Sequence, residues 1–195
     1  GKRVTDERLL IVGAGGGVGS ILTQLARRLT GVTVIGTASR PETRSWVQEL
    51  GAHHVIDHGR PLHEELKRIG IDGVSHVASL TQTDRHLDAI AEAIAPQGKF
   101  GLIDDPTTFD VLKFKRKSVS LHWEFMFTRS MFHTPDLLGQ HRLLDEMAAL
   151  VDAGLIRTTV GEHFGSIDAA NLKRAHALIE SGKARGKIVL EGFGA

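Results

Sequence analysis

"LLIVGAGGGVGS", residues 9–20, is the stretch from which the fold can be read. An apolar run ends abruptly, and five of the seven residues from Gly13 to Gly19 are glycine. Each glycine raises the entropy lost on folding, so this density needs a compensating use. Helical spacing follows at once, with Ile21, Leu22, Leu25, Ala26 and Leu29 on one face. A glycine loop between a buried strand and a helix N-terminus turns tightly and leaves its amides open to a phosphate. The helix end adds about half a positive charge. The stretch therefore predicts that Gly13, Gly15, Gly16, Gly17 and Val18 cradle the diphosphate of a dinucleotide. A glycine-rich turn with no ligand is the plain alternative, and the strand–helix setting argues against it. The literal pattern is Gly13-x-x-x-Gly17-x-Gly19, with Val18 where G-x-G-x-x-G would need its third glycine. No lysine and Ser/Thr pair follows the loop, which removes the ATPase and GTPase readings.

Outward from that loop the chain alternates short apolar runs with helical patterns. Strands are expected at 33–37, 53–57, 73–80, 98–104 and 118–125, with helices from Pro41 to Gly51, from 61 to 69 and from Asp84 to Ile94. Strand–helix repetition implies an α/β fold, a Rossmann doubly wound parallel sheet of six strands in the order 3-2-1-4-5-6. Beyond residue 134 the rhythm changes. A long helix is expected from Asp136 to Asp152, with Leu137, Leu138, Leu144, Met147, Ala148 and Val151 as its apolar stripe. A strand at 158–164, a helix from Ala169 to Ile179 and a last strand at 186–193 follow, a C-terminal extension of helix and strand.

Composition closes off other classes. The 195 residues carry 24 basic and 23 acidic side chains, so no bulk field steers the chain toward nucleic acid or membrane. The basic run Lys113, Lys115, Arg116 and Lys117 reads as a solvated loop before a strand. No apolar run reaches the roughly 18 residues of a membrane helix, and no signal peptide opens the chain. Without cysteine, disulfides and thiolate metal sites are excluded within the chain, and a cytoplasmic location is expected. His53, His54, His58 and His63 lie close together but lack metal-ligand spacing, so they read as a solvated cluster and no metal residue is nominated. No G-x-S-x-G occurs to support a serine hydrolase.

The end of the second strand bears on the cofactor. NAD-preferring folds place an acid about 20 residues past the glycines to hold the ribose hydroxyls. Here Ser39 and Arg40 stand at that point, and no acid follows until Glu42. A hydroxyl and a guanidinium suit a 2′-phosphate, and Arg44 one turn later adds charge. NADP(H) is therefore the expected cofactor. Ser39 and Arg40 also suit a simple cap on the following helix. Ligands of doubly wound sheets lie at the C-terminal ends of strands. That nominates Ser79, Leu80 and Thr81 after strand four and Ile103 and Asp104 after strand five, where ordinary strand-end polarity is the other explanation.

The G-x-x-x-G-x-G spacing is shared with short-chain dehydrogenases, whose Tyr-x-x-x-Lys pair is impossible in a chain without tyrosine. The sequence more closely resembles the medium-chain dehydrogenase/reductase superfamily. The resemblance runs through "GGVG", "VIGTASRPETRSWVQELGAHHVID", "IAPQGKFGLID" and "ALIESGKARGKIVLE". "KRKSVSLHWEFMFTRSMF" is similar to its zinc-type alcohol dehydrogenase-like branch, near the quinone oxidoreductases. The resemblance covers nearly the whole chain. It implies hydride transfer to or from a carbonyl, alcohol or activated alkene. It also implies that the residues after strands four and five lie near the nicotinamide ribose and ring. Phe125, Met126 and Phe127 then either line the nicotinamide end or pack on another domain. Members carry an N-terminal GroES-like catalytic domain that these residues do not include, and any zinc would belong there. No catalytic residue is accordingly nominated. Residues 1–156 form the expected cofactor domain, and residues 157–195 the segment that completes the GroES-like part, or pairs with a neighbouring copy. The resemblance further implies a homodimer through the sixth strand. A chain that binds NADPH only as a sensing or interaction module is the alternative function.

Overall fold

Six apolar runs assemble into one parallel sheet: β1 (Arg8–Val12), β2 (Thr33–Thr37), β3 (His54–Ile56), β4 (Val74–Ser79), β5 (Ile94–Leu102) and β6 (Ser120–Trp123). Their order is β3-β2-β1-β4-β5-β6, as the strand–helix rhythm predicts. The computed structural model describes residues 6–193; residues 1–5 and 194–195, the outer ends of the two expected segments, lie outside the described residues. β1 is the hub, with Leu10 in register with Ile35 on one side and Val77 on the other. Its Leu10, Ile11 and Val12 are all buried, because helices cover both sheet faces.

α1 (Gly17–Leu29) and α2 (Pro41–Glu49) cover one face, where Ala26 and Val47 meet Ile11, Val34 and Val55. α3 (Leu62–Arg68) and α4 (Thr83–Ala93) cover the other, packing Leu66, Leu87 and Ile90 on Leu10, Ile35 and Phe100. Each such side chain, fully buried, contributes roughly 1.5–3 kcal/mol. α5 (Leu112–Lys115) plugs the far end of this core with Phe114, whose ring lies 5.2 Å from that of Phe100.

Two expectations change here. The basic run is a helical turn, not a free loop. Lys117 Nζ donates to the carbonyls of Ala91, Glu92 and Ile94 at 2.7–2.8 Å, closing the C-terminal end of α4, and Lys113 bonds Asp88. The unpaired carbonyls and negative dipole of a helix end explain that use of a lysine. The long helix begins later than its pattern suggests, as α7 (Gly139–Asp152), after the short α6 (Thr128–Phe132). Asp136 accepts from Arg129 Nε at 2.9 Å and from the Thr134 hydroxyl at 2.6 Å, and these bonds hold a turn where the helix was expected to start. The apolar stripe of α7 is real in sequence, yet no residue of the helix is buried.

The C-terminal extension is a small strand–helix–strand unit. β7 (Val160–His163) and β8 (Lys187–Val189) pair with each other in parallel, and α8 (Ala169–Glu180) joins them, N-capped by Asp168. The unit is stitched to α1 and α2. Gln24 exchanges two hydrogen bonds with the Arg157 backbone at 2.9 and 3.1 Å. Arg157 and Arg185 both lie over the Trp46 ring, 5.5 and 5.4 Å from its centre. Trp46 in turn donates to Ser20 Oγ on α1 at 2.8 Å. No helix among the described residues is long and apolar enough to cross a membrane.

Glu65 pins the turn after β3. Its buried carboxylate accepts from the Asp57 amide at 3.0 Å and twice from Arg68 at 3.1 Å. Those bonds, from Arg68 first and then Asp57, hold its carboxyl below the usual glutamate range. A carboxyl depressed in the native state favours folding above the ordinary glutamate pKa, and that contribution fades as pH falls through the native value. Glu65→Gln should therefore cost stability near neutrality. Bonds to charged groups are worth about 1.5–3 kcal/mol, and the half-exposed Arg68 places this case at the lower end. Melting curves at neutral and acid pH check this: the gap to the parent chain should close in acid. A gap independent of pH would show that the charge is not its source.

Candidate functional site

The glycine loop is built by one close approach. Gly13 turns the chain out of β1 in the left-handed region, at φ +85°, and its amide donates to Thr37 Oγ1 at 3.1 Å. Gly16 donates back to the Gly13 carbonyl at 3.1 Å, and α1 starts at the next residue. A Cβ on Gly19 would overlap the Gly13 carbonyl and lie 2.6 Å from Ala14 Cα, so only glycine lets the helix rest this near the loop. The N-cap is Gly16. No side chain caps α1, and its first turn holds no acid. Its leading amides and positive end are thus directed at the cleft with nothing in front of them from their own helix.

That cleft has a volume of about 600 Å³. The loop residues Gly13, Gly15, Gly16, Gly17 and Val18 form its base, Ser39 and Arg40 one wall, and Leu80 and Thr81 another. The capping alternative for Ser39 does not occur: the N-cap of α2 is Arg40, and no side chain caps that helix. Arg40 reaches the Lys183 carbonyl at 2.9 Å and Glu42 at 3.4 Å, with its guanidinium at the cleft wall. Arg44 is elsewhere. Its guanidinium donates to the carbonyls of Ala38 at 3.1 Å and Val55 at 2.8 Å, bracing the ends of β2 and β3.

The strand-four and strand-five nominations divide. Ser79 is fully buried beneath the cleft and shares a 2.8 Å hydrogen bond with Thr83. Asp104 accepts from the Thr83 amide at 2.9 Å and from its hydroxyl, which fastens the start of α4. Ile103 and the exposed Phe125, Met126 and Phe127 are outside the residues lining the cleft. The latter three are exposed, as are Trp123, Met131 and Phe132, and the rings of Phe125 and Phe127 meet edge to face with centres 5.5 Å apart.

Sequence reasoning missed three contributors. The C-terminal unit supplies a wall: the Gly186 amide donates to the Gly15 carbonyl at 2.9 Å, and the Lys187 side chain lies over Gly17. The signal available was "GKARGK", residues 182–187, a second glycine-bearing stretch that also carries Lys183, Arg185 and Lys187. Thr43 lies beside Gly15 with its hydroxyl buried and without a hydrogen-bond partner. His58 and His86 also line the cleft, so the expected histidine cluster is dispersed. His63 pairs with Glu92 at 3.0 Å, and His53 Nδ1 accepts the Val34 amide at 2.9 Å. Burial is the main cause that lowers the pKa of both His58 and His86. Among the described residues no three His, Asp or Glu side chains converge on a possible metal position.

Residues 50–190 match the zinc-binding dehydrogenase family. The crystal structure of a Rhizobium etli CFN 42 protein assigned as a zinc-dependent alcohol dehydrogenase superposes with a TM-score of 0.92 at 58% identity, over 96% of this chain and 55% of that one. A zinc-type alcohol dehydrogenase-like protein of Staphylococcus aureus is 36% identical over 186 residues, 93% of this chain and 54% of its own. The mycobacterial protein Rv1454c, complexed with NADPH, superposes with a TM-score of 0.79 at 26% identity, over 98% of this chain and 58% of its own. The chain spans about half the length of the curated relatives it matches.

The loop geometry separates two glycines that look alike in sequence. Gly19→Ala must push α1 off the loop backbone, and overpacking of this kind costs about 1–3 kcal/mol. A Cβ on Gly16 meets only the Gly13 carbonyl, at 3.5 Å. Gly16→Ala should therefore cost less than about 1 kcal/mol, the usual loss of a glycine N-cap. Urea unfolding of both variants tests the ranking, and equal losses would contradict the close-approach account.

Proposed function

The chain belongs to the zinc-binding dehydrogenase family, and from that premise we propose that it is the NADPH-binding part of an oxidoreductase acting on a carbonyl, alcohol or activated alkene. The observation that carries this reading is the cleft itself: an uncapped helix N-terminus at its base and Ser39 with Arg40, but no acid, at the end of β2. The residues fit a phosphorylated dinucleotide. The glycine base leaves the amides of α1 within reach of a diphosphate, and the orphan Thr43 hydroxyl marks a polar position beside it. When bound, the nicotinamide would donate or accept the hydride.

Each wall has a distinct task. The loop amides hold the diphosphate. Arg40 exchanges the Lys183 carbonyl and Glu42 for the 2′-phosphate, which it grips with two parallel donors. Ser39 offers its hydroxyl to the same group. Leu80 and Thr81 seat the far half of the cofactor, and Asp104 keeps the start of α4 in place behind them. Proton transfer, and zinc if it is used, belongs to the remainder of the relatives' length. Residues 157–193 complete that remainder, and the chain by itself binds cofactor without turning over substrate. The edge of β6 and the exposed Trp123, Phe125, Met126 and Phe127 form the homodimer contact, since bare strand edges and apolar patches recruit partners.

Calorimetry with NADPH and NADH tests the cofactor assignment. A charge-assisted contact is worth about 1.5–3 kcal/mol. Arg40→Ala should weaken NADPH roughly tenfold or more and leave NADH nearly unchanged. Equal losses for both would remove the claim of phosphate specificity. Light scattering tests the assembly: the parent chain should run as a dimer, and Trp123→Glu combined with Phe127→Glu should give a monomer. A monomeric parent chain would refute the contact.

A further inference from the structure

Behind Leu80, Thr81 and Gln82 the packing is polar where apolar side chains would be expected. Ser79 at the end of β4 and Thr83 at the start of α4 are fully buried, and the half-buried Asp104 stands just after β5. Asp104 accepts from the Thr83 amide at 2.9 Å and from its hydroxyl, and the hydroxyls of Thr83 and Ser79 share a 2.8 Å bond. An ionised carboxylate only accepts, and a hydroxyl has one proton to give. Thr83 gives that proton to Asp104, so Ser79 is the donor in the bond between the two hydroxyls. One carboxylate thus sets the direction of both. A buried polar network whose members are all satisfied specifies one arrangement of the elements that carry it.

What is specified here is the loop between β4 and α4. Gln82 is in the left-handed region, at φ +51°, which is uncommon for a residue with a side chain and persists where the surroundings over-determine it. The Thr83 amide after it is held by Asp104, and before it the Leu80 amide donates to the Val12 carbonyl at 3.2 Å. Thr81, between them, lies against the glycine loop: a Cβ on Gly13 would come within 2.9 Å of its Cγ2. Leu80, Thr81 and Gln82 line the cleft, whereas Ser79, Thr83 and Asp104 do not. The loop follows β4, on the opposite side of β1 from β2 with its Ser39 and Arg40. A dinucleotide with its diphosphate after β1 and its phosphorylated ribose after β2 has its nicotinamide half left for this side.

We propose that Thr83 and Asp104, through their bonds to each other and to Ser79, are positioning residues for the nicotinamide half of the cofactor. They act through the loop at residues 80–82, which they hold in the setting that presents Leu80 and Thr81 to the cleft. The inference rests on the dinucleotide reading above. It adds what orients the seat of the reacting ring, a task that neither the glycine loop nor Arg40 performs.

The test reads the two halves of the cofactor separately. The fluorescence of bound NADPH reports the surroundings of its nicotinamide ring, and 2′,5′-ADP lacks that half. Thr83→Val removes the hydroxyl at nearly constant shape, Asp104→Asn leaves one acceptor for two donors, and Thr83→Ser keeps the hydroxyl. Saturating unmodified chain should shift the emission of NADPH away from that of the free cofactor. Thr83→Val and Asp104→Asn should return the emission toward the free value. Both should weaken NADPH about tenfold, the scale of one hydrogen bond to a charged group, and leave 2′,5′-ADP within about twofold of the parent. Thr83→Ser should keep the parent emission. On the unmodified chain, the amide signals of Leu80, Thr81 and Thr83 should move with NADPH and hold still with 2′,5′-ADP, a readout that needs no variant to fold. Parent emission in both Thr83→Val and Asp104→Asn, an equal loss of 2′,5′-ADP binding, a Thr83→Ser variant that behaves as Thr83→Val does, or loop amides that ignore bound NADPH would each overturn the positioning role alone. Failure of the unmodified chain to bind NADPH at all would overturn the dinucleotide reading, and the positioning role with it.

Discussion

Everything in this chain that faces the cleft depends on one contact between backbones, α1 at Gly19 against the loop at Gly13 and Ala14. A methyl group there would lift the helix, and with it the amides that form the cleft base. The same helix carries Ser20, which anchors Trp46, and Gln24, which anchors Arg157. The position of α1 is thus transmitted to α2 and to the C-terminal unit through side chains that are all within reach only when the helix lies low. The sheet hub at β1 is rigid because Leu10 to Val12 are buried on both faces. Helix, sheet and C-terminal unit meet at the loop, so small changes there are felt by all three.

The sheet and its order were legible because their signals are local or periodic. Apolar runs of strand length separated by helical spacing leave few topologies open once crossovers are right-handed. The loop end of the cleft was legible for the same reason, since Gly13 to Val18 follow directly from strand to helix. What escaped depends on long-range placement. Arg44 has the charge expected of a phosphate ligand, but two backbone carbonyls at the ends of β2 and β3 claim its guanidinium. Asp104 stands at a strand end as expected, and Thr83 claims its carboxylate. Lys187 and His86 carry no local mark of the cleft, because only the folded chain brings their elements to it. Lys117 reads as a solvated cation and instead satisfies three carbonyls at the end of α4.

Apolar patterning shows a related boundary. Both α4 and α7 carry apolar side chains along one side, yet Leu87 and Ile90 of α4 are in the core while Leu144 and Val151 of α7 face solvent. Periodicity tells which side of a helix wants cover. It does not tell whether the cover is in the same 195 residues. The exposed Trp123, Phe125, Met126, Phe127, Met131 and Phe132 pose the same question for β6, α6 and the turn between them.

The hydrogen bond from Gly186 to Gly15 joins residues near opposite ends of the chain, and the Gln24 pair with Arg157 spans 133 positions. Contacts of such sequence separation form only after the ends of a long loop have been brought together, and loop closure slows with that separation. Strands β1 to β4 and their helices are all contained before residue 94 and can collapse earlier. During synthesis the glycine loop therefore emerges long before its C-terminal wall, and spends that interval as an open shelf. The order of assembly makes the completed cleft a late product of folding, and its closure a direct report that the last strand has arrived.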